Sequence, residues 1–184
     1  MTIFSDRILQ RSVLGALLLL PMLAASTACG EPGFTFTAKS DEEVVPGSPG
    51  PGVPLDNFFP SIGFDINLER ELDKRNAGPA KAVYLEGLDL KITGTKEPDG
   101  DTDNFDFLNS LKISANADGK DARQIGELDP VPEGQSRVSL ETDDSVNLKP
   151  YIEKGMTLEV DGEGRPPDDD TSFISIVRLR VKIL

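Results

Sequence analysis

The sequence predicts an all-β protein built on a single antiparallel β-sandwich of about seven strands with one short helix. Three observations lead there. From Ser61 to the end, apolar residues recur mainly at every second position, which lines them along one face of a strand. The runs are short and are separated by segments rich in Gly, Pro and Asp, the residues that turns require. The roughly 124 residues involved suffice for one core, since a chain of that size buries about two-thirds of its unfolded surface without a disulfide.

The elements follow in order. Ile62, Phe64, Ile66 and Leu68 alternate with Ser61, Gly63, Asp65 and Asn67 and form the first expected strand. Glu69 to Asn76 is polar, with Glu71 three and four residues before Lys74 and Arg75; that spacing suits about two turns of exposed helix anchored by Leu72. Lys81 to Thr93 presents Val83 and Leu85, then changes phase to present Leu88, Leu90 and Ile92, which calls for a bulge at Gly87. Phe105, Phe107, Leu111, Ile113 and Ala115 share parity in a third strand, ended by the turn Asp118-Gly119. Ile125 and Leu128 mark a fourth strand, Val138 and Leu140 a fifth, and Met156, Leu158 and Val160 a sixth. In the last, Val177, Leu179, Val181 and Ile183 face one way while Arg178, Arg180 and Lys182 face the other. Seven such strands suggest an immunoglobulin-like general architecture over residues 61–184. Neither an internal repeat nor a heptad pattern is present.

The N-terminus reads as an export signal over residues 1–28. Arg7 and Arg11 form its charged part, and Val13 to Ala25, interrupted by Pro21, forms an apolar stretch too short to span a bilayer. Cys29 is the only cysteine, and Ser26-Thr27-Ala28-Cys29-Gly30 resembles a bacterial lipobox, in which cleavage precedes a cysteine that becomes lipid-modified. Ser26 stands where that pattern usually has an aliphatic residue. The other reading is an ordinary secretory signal followed by a spare thiol, an anomaly in an exported protein. Each buried methylene contributes about 0.8 kcal/mol, so several acyl chains on Cys29 would hold the protein at a membrane without a spanning helix. In lipoproteins of the enterobacterial type an aspartate after the modified cysteine favours the inner membrane; Gly30 stands there, so the resemblance implies the outer membrane.

Residues 29–60 read as the lipidated cysteine plus a tether. Pro46 to Pro54 is a Pro/Gly-rich run preceded by Asp41-Glu42-Glu43, and some 30 extended residues would reach about 90 Å. Gly33-Phe34-Thr35-Phe36-Thr37 alternates, however, and offers a second reading as a strand that docks on the domain. Phe58-Phe59 before Pro60 suits a plug where the tether meets the sandwich, or else a partner contact.

Phe105-Asp106-Phe107-Leu108-Asn109-Ser110, then Val146-Asn147-Leu148-Lys149-Pro150-Tyr151-Ile152, then a basic last strand, together resemble small bacterial β-sandwich lipoproteins of uncharacterised function. The resemblance covers about residues 61–184 and implies a fold and a location; no activity comes with it.

Composition bounds the chemistry. With no histidine and one cysteine, the chain cannot build a Ser-His-Asp triad, a Cys-His pair, a zinc finger or an intrachain disulfide. Tyr84, Tyr151 and the serines lack a recognisable base partner, and the absence of Trp disfavours stacking on sugars, so no enzyme activity is expected. Residues 29–184 carry 17 basic and 31 acidic side chains, a net charge of −14 that repels nucleic acid.

Two charged features invite functional readings. Asp99, Asp101 and Asp103 lie in one loop and Asp168, Asp169 and Asp170 in another; alternating strands would bring these loops, with Asp129 and Glu133, to one end, where calcium is a candidate ligand. The first loop fails as an EF-hand, because Asn104 replaces the glycine and Ser110 the bidentate glutamate. A solvated acidic end is the plainer alternative, since Asp and Gly are common turn residues. The stripe Arg178, Arg180, Lys182 suits the solvated face of an edge strand, or a docking surface for an acidic partner. The expected function is therefore a lipid-anchored, non-enzymatic cell-envelope module, structural or protein-binding, with a membrane through its lipid and an envelope protein as partners. A calcium-stabilised adhesion or ligand-binding domain is the alternative.

Overall fold

A computed structural model describes residues 32–47, 59–94 and 103–184. The elements are β1 (Gly33–Lys39), β2 (Glu43–Val45), β3 (Ile62–Gly63), α1 (Leu68–Asp73), β4 (Ala80–Ile92), β5 (Leu108–Asn116), β6 (Arg123–Leu128), β7 (Arg137–Thr142), α2 (Lys149–Ile152), β8 (Thr157–Gly164) and β9 (Thr171–Ile183). The chain is all-β and mostly antiparallel sheet. Its strands form one ladder in the order β1-β9-β4-β7-β6-β5-β8-β3, with β2 also on β9.

This differs from the seven-stranded sandwich expected. The sheet is a curled half-barrel of nine strands, and β7 is the reason. Its first residues pair with β4, Arg137 to Leu140 opposite Lys91 to Leu88, and its last two pair with β6, Glu141 and Thr142 opposite Glu127 and Gly126. One strand therefore joins by ladder bonds two halves that a sandwich would keep apart. Twist and coiling then wrap the sheet around its own inner face.

The core lies in that concavity. Val83, Leu85, Leu88 and Leu90 of β4 meet Leu111 and Ile113 of β5, Ile125, Val138, Leu158 and the inward face of β9. The pairing of β4 with β9 shifts register between Leu85 and Gly87, where the sequence pattern changed phase, so Leu85 and Leu88 both point inward. Leu148 enters from the segment before α2: its N–H donates to the Val83 carbonyl at 2.7 Å while the Asn147 side chain accepts from the Val83 N–H at 3.1 Å. Asn147 and Leu148 thus satisfy the β4 backbone where β7 no longer runs beside it.

Two other expectations change. The strand proposed from Ile62 to Leu68 ends at Gly63, because Asn67 caps α1, its side chain accepting from the Arg70 N–H at 2.8 Å. Helix α1 and the turn that follows it carry the predicted pairs, Glu71 with Lys74 at 2.6 Å and with Arg75 at 2.7 Å. The reading of residues 29–60 as an extended tether fails from Gly33 to Val45. There β1 pairs with β9 from Gly33 opposite Lys182 to Lys39 opposite Ile176, and β2 continues along Phe173 to Thr171. Between them Ser40 is buried, its N–H bonded to the Ser175 carbonyl and its hydroxyl accepting from the Ser175 N–H, both at 2.9 Å. Phe36 drives the docking by burying its ring in the core. Residues 1–31, with the export signal and Cys29, and most of the Pro/Gly-rich run lie outside the described residues.

Candidate functional site

Since all pairings are antiparallel, the loops after β4, β6 and β8 meet at one end of the sheet. Backbone bonds tie them: the Phe105 N–H donates to the Gln135 carbonyl at 2.9 Å and the Arg165 N–H to the Phe107 carbonyl at 2.8 Å. The Asp106 carboxylate accepts a hydrogen bond from the Gly134 N–H. Phe59 covers this end from the side, 6.4 Å from the Phe107 ring and 6.1 Å from Phe173, and Gly162 leaves the room it needs, since a Cβ there would lie 2.9 Å from the Phe59 ring. Phe59 is placed as a plug.

The acidic end is thus assembled, and of its candidate calcium ligands Asp103, Asp168, Asp169 and Asp170 belong to the described residues. Asp99 and Asp101 lie outside the described residues, as does Phe58. The Asp170 carboxylate accepts from the Gly47 N–H at 2.9 Å and so fastens the segment after β2. Among the described residues, no group of three or more His, Cys, Asp or Glu side chains is placed to hold a metal ion.

The second surface is the outward face of β1, β9, β4 and β7. Here lie Arg178, Arg180 and Lys182, and their setting corrects an expectation: β9 is an interior strand, flanked by β1 and β4, so its charges do not guard an edge. They are instead woven into cross-strand pairs. Glu86 on β4 accepts from the Thr35 hydroxyl of β1 at 3.1 Å and lies 3.3 Å from Arg180 Nε. Arg180 also reaches Asp144 at 3.7 Å and lies over the Tyr84 ring at 5.5 Å, with Lys182 Nζ at 5.3 Å from the same ring. Arg178 lies across Gly87, where a Cβ would stand 2.7 Å from its guanidinium, and donates to the Glu86 carbonyl at 3.4 Å. The bulge glycine therefore also makes room for an arginine. Glu86, Thr142, Asp144, Arg178 and Arg180 line an open, polar depression of about 430 Å³.

No protein family, curated relative or solved structure matches this chain. On β4, burial pushes the Asp89 carboxyl up, but hydrogen bonds from Ser139 and Arg137, the latter at 2.6 Å, and the charges of Arg137 and Arg178 outweigh it and hold the carboxyl below its ordinary range. A carboxylate so held is a fixed charge near neutral pH and a poor proton donor.

Sequence reasoning found the three cations and missed Thr35, Tyr84, Glu86 and Asp89. Their signal was present: on β4, Tyr84 and Glu86 precede the phase change and Asp89 follows it, all at outward positions. What was missing was the partner strand, which only the register supplies.

Proposed function

We propose that the protein is a lipid-anchored, non-enzymatic component of the bacterial cell envelope whose β-domain is a structural or protein-binding module. The observation that carries the binding part is the ordered outward face of β1, β9, β4 and β7, where Arg178 and Arg180 line an open depression and Arg180 lies over the Tyr84 ring. Tyr and Arg are enriched where proteins meet, because each offers a broad, partly apolar surface with a polar tip. The anchor rests on the lipobox-like run ending at Cys29, and the outer membrane on Gly30 after it. The β-sandwich lipoproteins the sequence resembles remain the family proposed. Among the described residues no helix is long and apolar enough to cross a membrane.

The test is cross-linking in living cells with a C-terminally tagged chain, followed by denaturing purification and mass spectrometry. A reproducible envelope partner, lost in Arg178→Glu and retained in Lys154→Glu, supports the reading; a partner indifferent to Arg178→Glu places recognition elsewhere. Cys29→Ala should remove the protein from the membrane fraction. The convergence of acidic loops favours one second reading, a calcium-stabilised adhesion or ligand-binding domain. Millimolar calcium would then raise Tm more than magnesium does, as a ligand bound only by the folded state must.

A further inference from the structure

Docking of β1 on β9 leaves little free chain between Cys29 and the sheet. Docking to β9 begins before β1 itself, since the Ile183 N–H donates to the Pro32 carbonyl at 2.9 Å and Gly33 stands opposite Lys182. Cys29 is three residues before Pro32. At about 3.6 Å per residue at full extension, covalent geometry holds Cys29 within about 11 Å of this end of the sheet, whatever path the chain takes. A 30-residue tether would have allowed any orientation; three residues do not.

The end so placed is built from the last residues of β9, the start of β4 and α1. The Leu184 N–H donates to the Pro79 carbonyl at 3.0 Å, the Arg75 guanidinium lies 4.4 Å over the Phe34 ring, and Leu184 is 78% exposed. The turn after β5 and the segment carrying α2 lie at the same end by strand direction. Charge divides between the ends. Segments 64–81, 117–123, 143–159 and 180–184 carry ten basic and ten acidic side chains, whereas 41–47, 91–94, 103–107, 127–137 and 161–171 carry three basic and thirteen acidic. The protein's negative charge is therefore concentrated at the end remote from Cys29. β9, with its 13 residues, spans about 43 Å, roughly five Debye lengths at physiological ionic strength.

We propose that the protein stands upright on a lipid surface, with the Pro32, Lys182 and Leu184 end against the headgroups and the acidic end directed away. The occupant of the near end is the bilayer that holds the Cys29 lipid, so the inference rests on the proposed anchor. Short reach fixes which end approaches; charge favours the same choice, because anionic headgroups repel thirteen carboxylates and tolerate a nearly balanced surface.

The test uses the full, lipidated chain in phosphatidylethanolamine/phosphatidylglycerol vesicles bearing an energy-transfer acceptor on the headgroups. With Cys29 acylated, Asp73→Cys in α1 and Glu133→Cys in the loop after β6 each supply a single thiol for a donor dye, and each removes one negative charge. Transfer from position 73 should exceed that from position 133 several-fold. A 20-residue Gly/Ser insertion between Gly30 and Glu31 should bring the two to parity. Equal transfer without the insertion, in protein that floats with the vesicles, overturns the orientation and leaves the anchor standing. A difference that survives the insertion overturns the role of the short connection. Protein that fails to float refutes the anchor and the orientation with it.

Discussion

Leu90 and Lys91 are neighbours in β4 whose fates under the same substitution test the inward and outward assignment of the whole sheet. Leu90 is fully buried, with Val138 and Ser175 as its register partners on the two flanking strands. Truncation to Ala removes a buried side chain and leaves a cavity, costing about 3 kcal/mol. Asp adds a carboxyl with no partner, at a further 1–3 kcal/mol or so even if it protonates. The sum, about 5 kcal/mol, reaches the lower end of what a whole domain has, about 5–15 kcal/mol. Leu90→Asp should therefore fail to give folded, soluble protein, and Leu90→Ala should lower Tm by about 10 °C, at about 3 °C per kcal/mol for a domain of this size. Lys91 is exposed and stands opposite Arg137, so Lys91→Asp exchanges a like-charge pair for an opposite one, a gain of a few tenths of a kcal/mol. The assay is a thermal melt followed by circular dichroism. Equal melting of Leu90→Asp and Lys91→Asp would refute the parity on which the core rests.

Other expectations can be checked on the same protein. Because the folded Asp89 carboxyl titrates below its ordinary range, its contribution is complete above about pH 4 and is lost as pH falls through the depressed value; Asp89→Asn should flatten the acid limb of stability, measured as urea midpoints from pH 6 to pH 3. Asn147→Ala leaves the Val83 N–H without its acceptor and should cost about 1–2 kcal/mol by urea denaturation, with an unchanged midpoint counting against the strand-replacing role of Asn147. Gly33→Ala would drive a Cβ into the Val181 carbonyl oxygen, so the start of β1 should lift from β9 and the Ile183 amide should exchange about tenfold faster; unaltered exchange would show that Pro32 and Gly33 do not dock as described.

Much of the sheet was legible because period two records which residues are inward, whatever the partner. The phase change around Gly87 announced a bulge that is present, and the alternation from Val177 to Val181 marked the strand at the heart of the larger half. Phe105 and Phe107 had the parity of β5 yet lie in the turn before it, because parity says nothing of where ladder bonds begin. α2 was not expected: four residues with Pro150 in the first turn leave no periodic trace.

The sequence by itself determined the class of the fold, the inward residues of its long strands, the two pairs of α1 and the absence of histidine chemistry, all of which are local or compositional. Tertiary structure alone decided which strands are neighbours. Ladder bonds join residues as far apart as Gly33 and Lys182, and backbone N–H and C=O groups are the same in every residue, so no side-chain pattern names the partner. That choice placed β1 on β9, turned an edge stripe into a cross-strand network and docked the chain on the sheet from Pro32 onward.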